Sequence, residues 1–419
     1  MKKTIKLAVV AALALGATSA LATNGSNLIG YGAKARGMGG TDIGISHGAE
    51  SALGNAAMIT TVEGTEISFG GTLFMPDVSN ENDLSGLGMA PTSSSSSAAD
   101  MSVIPEVSIA SKITDKFYMG VGMWGTAGMG VDYRDANTAS DTQLQMVTNL
   151  QLMQFGVPLA YKINNLSLAI TPVLQYGSLD INYVYGLDDG NASTGPGNVG
   201  MGVAQDLEFG VNLGVSYDIK GITIGAMYKS QIDMEYKGFG DTVAPFTGGA
   251  GYDNDKLSTP AEIGLGFSYK MKEHTIAFDY KLVKWSDAKG YEDFEWEDQN
   301  VYAIGYEYAA SKWALRLGYN YADSPISEQT YAGANDANLA AGVVNTFNLL
   351  GFPAIVQSHI TIGGSYKLNK QTSVDLAYVY ALEETETYDN FSQAFGGGAT
   401  EISTTHSQQS VSAQLNFNF

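Results

Sequence analysis

From Thr65 to Phe419 the chain alternates apolar and polar residues in one run after another. Near the end, Val411, Ala413, Leu415, Phe417 and Phe419 share one face, and Ser412, Gln414, Asn416 and Asn418 share the other. Leu207, Phe209, Val211, Leu213, Val215 and Tyr217 oppose Glu208, Gly210, Asn212, Gly214 and Ser216. Trp313, Leu315, Leu317, Tyr319 and Tyr321 oppose Ala314, Arg316, Gly318 and Asn320. A period of two sends successive side chains to opposite sides of a strand. Fourteen strands are predicted, at 65–75, 102–112, 117–133, 143–162, 166–184, 203–219, 222–237, 257–271, 275–285, 297–308, 313–323, 354–367, 373–387 and 407–419. Tight turns (Thr114-Asp115, Asn164-Asn165, Lys220-Gly221, Lys272-Glu273, Ala310-Ser311 and Asn369-Lys370) alternate with long polar links near 76–101, 134–142, 185–202, 238–256, 286–296, 324–353 and 388–406. Short turns on one side, long loops on the other and an even strand count describe an outer-membrane barrel. In that reading both ends of the wall lie on the periplasmic side. Phe117, Tyr118, Tyr161, Tyr217, Tyr269, Tyr308 and Tyr366 beside the short turns form an interfacial girdle. An unpaired backbone group in hydrocarbon costs several kcal/mol, so such a wall must close. The expected fold is an all-β membrane protein, a 14-stranded antiparallel transmembrane barrel over residues 61–419.

The stretch Thr23–Ile59 breaks this pattern. It is rich in Gly, Ala and Ser and shows no alternation. Its apolar residues Leu28, Ile29, Tyr31, Met38, Ile43, Ile45, Leu53, Met58 and Ile59 need a dry place, which the lumen supplies. Residues 23–60 therefore read as a plug, with a periplasmic tail as the competing reading. Ahead of it, Lys2, Lys3 and Lys6, the apolar run Leu7 to Leu15, and Ala20-Leu21-Ala22 form a signal peptide over residues 1–22. No later apolar stretch approaches the roughly 20 residues a spanning helix needs.

Composition supports this picture and excludes several chemistries. There are 22 Lys+Arg against 43 Asp+Glu, a formal net charge of −21, which argues against nucleic acid as a partner. The 50 Gly and 24 Tyr suit a barrel, and the absence of Cys removes disulfides and thiolate metal sites. Gly37-Met38-Gly39-Gly40 lacks the strand, helix and lysine of a phosphate loop. Asp253-Asn254-Asp255 lacks the Gly and terminal Glu of a calcium loop, and Ser93 to Ser97 reads as a loop tip. His47, His274, His359 and His406 form no constellation with Ser or Asp, so no catalytic residue, metal or cofactor is expected. Lys229, Lys281 and Arg316 point inward on period-two counting. They either hold a cargo carboxylate or pair with Glu208, Asp233, Asp279, Glu307 and Asp375. In the link 324–353, Leu339, Val343, Val344, Phe347, Leu349, Leu350 and Phe352 recur at near-helical spacing. They mark either a capture surface or a cap packed on the barrel. The third strand carries Gly120, Gly122, Gly125, Gly128 and Gly130, and such a run marks a bulge or bend.

Four patches carry a family likeness: GYGAKARGMGGTDIGISHGAESALGNAAMI at the start, FYMGVGMWGTAGMGVDY from Phe117, TPAEIGLGFSYK with FDYKLVKWS from Thr259, and ALRLGYNYADSPI, NTFNLLGFPAIVQSHITIGGSY and SVDLAYVY near the end. In order and spacing the chain resembles the long-chain fatty acid and hydrocarbon transporters of Gram-negative outer membranes (FadL/TodX type). The resemblance implies a lumen blocked by a hatch that includes Asn24, Gly25, Leu28, Gly37, Gly39, Gly40, Asn55, Ala56 and Ala57. It implies passive uptake of hydrophobic molecules, captured at outer loops and released sideways at a kink in the third strand, here Gly125, Gly128 and Gly130. Candidate cargo contacts are Lys229, Lys281, Arg316, Leu339, Val343, Phe347, Leu350 and Phe352. Expected partners are the hydrophobic cargo, outer-membrane lipids and lipopolysaccharide, and the barrel-assembly machinery reading Phe419. The family's Asn-Pro-Ala is Asn55-Ala56-Ala57 here, which frees φ and restores an N–H donor. A barrel with a structural, adhesive or general-porin role is the alternative.

Overall fold

The computed structural model describes residues 24–87, 94–135, 142–185, 197–247, 254–330, 335–392, 398 and 400–419. The signal peptide lies outside them, as do Asp253 and Ser93. Fourteen antiparallel strands form the wall. They are β1 (Thr65–Asp83), β2 (Ser102–Lys112), β3 (Phe117–Asp132), β4 (Val147–Gly156, continuing as Leu159–Ile163), β5 (Leu166–Tyr185), β6 (Ala204–Ile219) and β7 (Ile222–Lys229). Then come β8 (Glu262–Met271), β9 (His274–Val283), β10 (Gln299–Ala309), β11 (Trp313–Ala322), β12 (Ser358–Lys367), β13 (Thr372–Asp389) and β14 (Glu401–Asn418). β14 pairs with β1 from Glu66↔Asn418 to Asp83↔Glu401, so the sheet closes on itself. Among the described residues no helix is long and apolar enough to cross a membrane.

The two faces separate as the alternation requires. Leu207, Leu213, Leu315, Leu317, Ile360, Ile362 and Leu376 are exposed on the outside, where lipid would meet them. Asn212, Ser216, Arg316, Asn320, Ser412, Gln414 and Asn416 are buried on the inside.

Several strand bounds differ from those expected. β1 runs on to Asp83 and β14 starts at Glu401, because polar pairs such as Asn80–Thr404 (2.8 Å) extend the ladder beyond the apolar belt. Ser95–Ser96 is a short strand on Ser79 and Asn80, not a free loop tip. β7 stops at Lys229, after which Ile232–Thr259 and Glu235–Lys256 are isolated bridges. β4 breaks at Val157-Pro158, since proline has no N–H to give the ladder. Tyr118 faces inward and is buried, so it is not part of the girdle.

At the long-link end the loops fold over the barrel mouth. Helices α2 (Phe239–Val243) and α3 (Asn335–Leu350), numbered after α1 (Gly32–Gly37) in the N-terminal segment, pack with residues 285–296 into an aromatic cluster. Phe294 stacks on Phe347 at 4.4 Å between ring centroids, and Trp285 meets Tyr291 and Trp296 edge-on at 4.7 and 5.0 Å. Trp296 donates to Asn348 (3.0 Å), which donates back to the Phe294 carbonyl (2.9 Å), so the buried polar tips are satisfied.

Candidate functional site: the lumen and the break in the third strand

Residues 24–62 run through the lumen and are buried almost throughout. Polar side chains from the wall hold them. Asp279 of β9 accepts from the amides of Asp42 (2.6 Å), Ile43 (2.8 Å) and Gly44 (3.2 Å). Glu106 of β2 pairs with Arg36 (2.7 Å) and accepts from Gly32 N–H (3.0 Å). Thr361 accepts from Gly39 N–H, and Asn320 donates to the Gly39 carbonyl. Gly39 has φ +70, and a Cβ there would lie 2.6 Å from the Tyr319 carbonyl oxygen; its wall neighbour Gly318 leaves equally little room. Paired glycines thus let two backbones touch.

The other hatch candidates fall in the same seam. Gly37 faces Gly363, Gly40 abuts the Ile29 carbonyl, and Gly25 packs on the Trp285 ring. Asn24 is buried with its side-chain amide unpartnered. Asn55 caps the 3-10 turn Ala56–Thr61 by accepting from Ala57 N–H, and donates to the carbonyls of Ile43 and Val215, both at 2.9 Å. Ala56 and Ala57 lie against Gly214 of β6.

Glu50 and His47 are among the titratable groups of this segment displaced from their ordinary ranges. Burial pushes the Glu50 carboxyl up to about 7, against the attraction of Lys34 at 3.0 Å. Burial pushes His47 down to about 4, although its ring contacts the Thr41 carbonyl at 2.7 Å.

The β2–β3 ladder runs from Lys112↔Tyr118 to Glu106↔Trp124 and stops. From Gly125 onward the only wall strand β3 pairs with along its length is β4, with a bulge between Gly125 and Ala127. Gly128 and Gly130 follow, opposite Gln151 and Asn149. Trp124 turns into the lumen, donating to Ser108 at 2.8 Å. Residues 123–131 are buried on both faces, so this part of the strand has swung inward. The N-terminal segment lies on the freed edge: Leu28 N–H donates to the Thr126 carbonyl (3.3 Å), and Gly128 N–H to the Ser26 carbonyl (3.1 Å). Above, Ala98 N–H donates to the Asp132 carbonyl at 2.8 Å and ends the break. Leu28, Phe74 and Ile104 form a small apolar cluster beside it.

The inward cations are mostly spent. Lys229 pairs with Glu262 (3.3 Å), and Arg316 with Glu307 (2.7 Å). Lys281 has no ion-pair partner within 4 Å among the described residues and faces Asp42 electrostatically. Of the acids expected to pair with these cations, only Glu307 does so. Glu208 and Asp233 are exposed, Asp279 serves the N-terminal amides, and Asp375 pairs with Lys34 (3.5 Å). Glu262 was not singled out by the sequence; its place opposite Lys229 on the neighbouring strand, at Lys229↔Glu262, is the signal that would have found it. In α3 and after it, Phe347, Leu350 and Phe352 are wholly buried, Val343 is half-buried and Leu339 is exposed. The segment is a cap first, with the Leu339 side chain at its surface.

A closed antiparallel barrel, lipid-facing outside and filled by its own N-terminus, is the architecture of an outer-membrane channel with an obstructed lumen. The chain belongs to the outer membrane protein transport protein family (OMPP1/FadL/TodX), whose model matches residues 7–334. It is therefore an outer-membrane protein of a transporter family, not of an enzyme family. The fold is shared with a FadL homologue of Pseudomonas aeruginosa (TM-score 0.71, 15% identity, 94% of this chain and 100% of that one). It is also shared with the toluene transporter TodX of Pseudomonas putida (0.67, 18%, 95% and 100%) and the toluene transporter TbuX of Ralstonia pickettii (0.63, 18%, 94% and 99%). An uncharacterized protein from the phosphoenolpyruvate carboxykinase gene 5' region of Chlorobium limicola is 44% identical over 85 residues. That match spans 20% of this chain and 42% of the relative's length.

Proposed function

We propose that the protein carries hydrophobic molecules, long-chain fatty acids or hydrocarbons, passively into the outer membrane. Cargo is captured at the apolar long-link end, passes the hatch of residues 23–60, and leaves sideways at Gly125–Gly130. The observation that carries this reading is the break in the β2–β3 ladder with the hatch peptide seated on its free edge. A lumen sealed above by an aromatic cap and filled by the hatch suits a cargo that never needs a water-filled pore. Lys229 and Arg316 are already neutralised, which favours uncharged cargo over a carboxylate. In this reading the short turns and both ends of the wall face the periplasm, the signal peptide of residues 1–22 has been removed, and outer-membrane lipid and lipopolysaccharide surround the barrel. Phe419, exposed at the rim, is the residue read by the barrel-assembly machinery.

Proteoliposomes separate this from a general porin. We expect uptake of a labelled alkyl aromatic above protein-free vesicles, with little steady ion conductance in a planar bilayer. Steady conductance without hydrocarbon uptake would favour the porin.

A further inference from the structure

Every short turn of the barrel carries lysine. Lys112 and Lys116 flank the β2–β3 turn, Lys162 the β4–β5 turn and Lys220 the β6–β7 turn. Lys270 and Lys272 belong to the β8–β9 turn, Lys312 to the β10–β11 turn, and Lys367 and Lys370 to the β12–β13 turn. Nine of the chain's 22 Lys+Arg are thus gathered on one rim of a protein whose formal net charge is −21. Against them stand Asp115, Asp218, Glu273 and, where the hatch ends, Glu63. Of the nine, only Lys112 has a carboxylate within 4 Å among the described residues, that of Asp115 at 2.9 Å. At the opposite end Arg134, Lys256, Lys284 and Lys289 each pair with an acid. The positive charge of the short-turn rim is therefore left open to a partner.

The neighbours of these lysines say what kind of partner it is. Ile113, Ile163, Ile219, Met271, Trp313 and Leu368 each adjoin one of them in sequence, one to a turn, and all are exposed. Tyr161, Tyr217, Tyr269 and Tyr366, also exposed, lie on the strands just before their turns. Rings of this kind mark the level of lipid headgroups. A lysine at that level lays its stem along the acyl boundary and sends its ammonium to the phosphates. An acidic protein would match the charge but leave the apolar side chains without a counterpart. The turns that carry Lys312, Lys367 and Lys370 also border an open cavity of about 990 Å³, lined as well by residues 61–66 and Phe419. Of its two acids, Glu66 is engaged by Lys34 (3.9 Å) and the Ala49 N–H (3.0 Å), which leaves Glu63 against three lysines. A space of this size takes a phosphate-bearing headgroup.

We propose that the short-turn rim is a binding surface for anionic phospholipid, with its best-defined place at Lys312, Lys367 and Lys370. There the headgroup phosphate enters the cavity between the lysines while the acyl chains lie along Trp313, Tyr366 and Leu368. The contact holds the barrel at a set depth through one leaflet, independently of the loops at the other end. That this leaflet is the periplasmic one rests on the proposed orientation of the short turns.

Trp313 makes the place readable, because it is exposed beside Lys312 while Trp124, Trp285 and Trp296 are buried. The test uses the full-length protein in nanodiscs that contain phosphatidylglycerol and phosphatidylcholine, with one or the other brominated on its acyl chains. Brominated phosphatidylglycerol should quench Trp313 with a relative binding constant about five-fold above that of phosphatidylcholine, the worth of one lysine near an anionic surface. Trp313→Phe should remove the quenching. The triple variant Lys312→Gln/Lys367→Gln/Lys370→Gln should bring the two lipids level, and arginine at the same three positions should keep the preference. Inorganic phosphate should not displace the lipid at matched ionic strength; displacement would show a site for the free anion and overturn the lipid assignment. Equal quenching by the two lipids in the unmodified protein, the result expected if the rim meets an acidic protein instead, overturns the proposal. So does a preference that survives in the glutamine variant. Should that variant fail to fold, Lys370→Gln alone carries the test. Orientation is read separately, from Lys370→Cys in intact cells, which should resist a membrane-impermeant thiol reagent. Labelling there would overturn the periplasmic placement, and the nanodisc preference, which samples both leaflets, would still decide the lipid site.

Discussion

The Asn55 side chain makes three hydrogen bonds, two within the N-terminal segment and one to β6 across the lumen. Asn55→Ala removes a cap and leaves two carbonyls short of a donor, at a cost of about 2–3 kcal/mol. Amide exchange over residues 24–62 should speed up accordingly while exchange in the wall is unchanged. The dipeptide after Asn55 was visible in the sequence as a departure from the family pattern, but the bond to Val215 was not. It depends on which of fourteen strands passes beside the segment. The same holds for Glu106 and Asp279, whose roles as amide acceptors follow from the close backbone approach. Two nearby groups give this docking a pH window. Glu50 has a raised folded-state pKa, so its contribution is full below its ordinary value near 4.5 and is lost as pH rises through about 7. His47 has a lowered one, so its contribution is full above 6.5 and is lost as pH falls through about 4. Exchange protection of residues 24–62 should therefore peak between about pH 5 and 6, and Glu50→Gln should lessen the decline on the alkaline side, leaving the share of Asp42, whose carboxyl burial also raises.

At the scale of elements, the strands were legible because lipid and lumen impose opposite demands on alternate residues. Where both faces are polar, as in residues 79–83 of β1, the signal fades and a strand reads as a loop. The glycines of β3 announced a bend, but the place where pairing with β2 ends needed coordinates. Gly128 lies within the freed edge, paired with Gln151 and donating to the Ser26 carbonyl. Gly128→Val should straighten this edge and cut hydrocarbon uptake about ten-fold, with barrel folding, read from heat-modifiable mobility, retained. The near-helical spacing in 324–353 announced α3, while its inward packing came from partners distant in sequence. Phe347 touches Phe246, Phe294 and Phe352. Phe347→Ala should loosen the cap by about 3–5 kcal/mol and expose the segment 335–350 to protease in intact cells.

For the whole molecule, closure of the wall and its strand count could be read from pattern and composition. The apolar residues of the N-terminal segment pointed it to the lumen but did not give its seating there, because a segment without alternation carries no register. Its location is set by many small agreements between hatch and wall, such as Gly39 against Gly318 and Gly37 against Gly363. Lateral exit of cargo through the β2–β3 break is open to a direct test, because the chain contains no cysteine. A Cβ at Gly125 would stand 3.7 Å from the Cβ of Ile104, within the span a disulfide bridges. In the double variant Ile104→Cys/Gly125→Cys, oxidation should tie the two strands together and abolish alkyl-aromatic uptake, and reduction should restore it. Equal uptake by the oxidised and reduced forms, with bond formation verified by thiol labelling, would contradict lateral exit at this site.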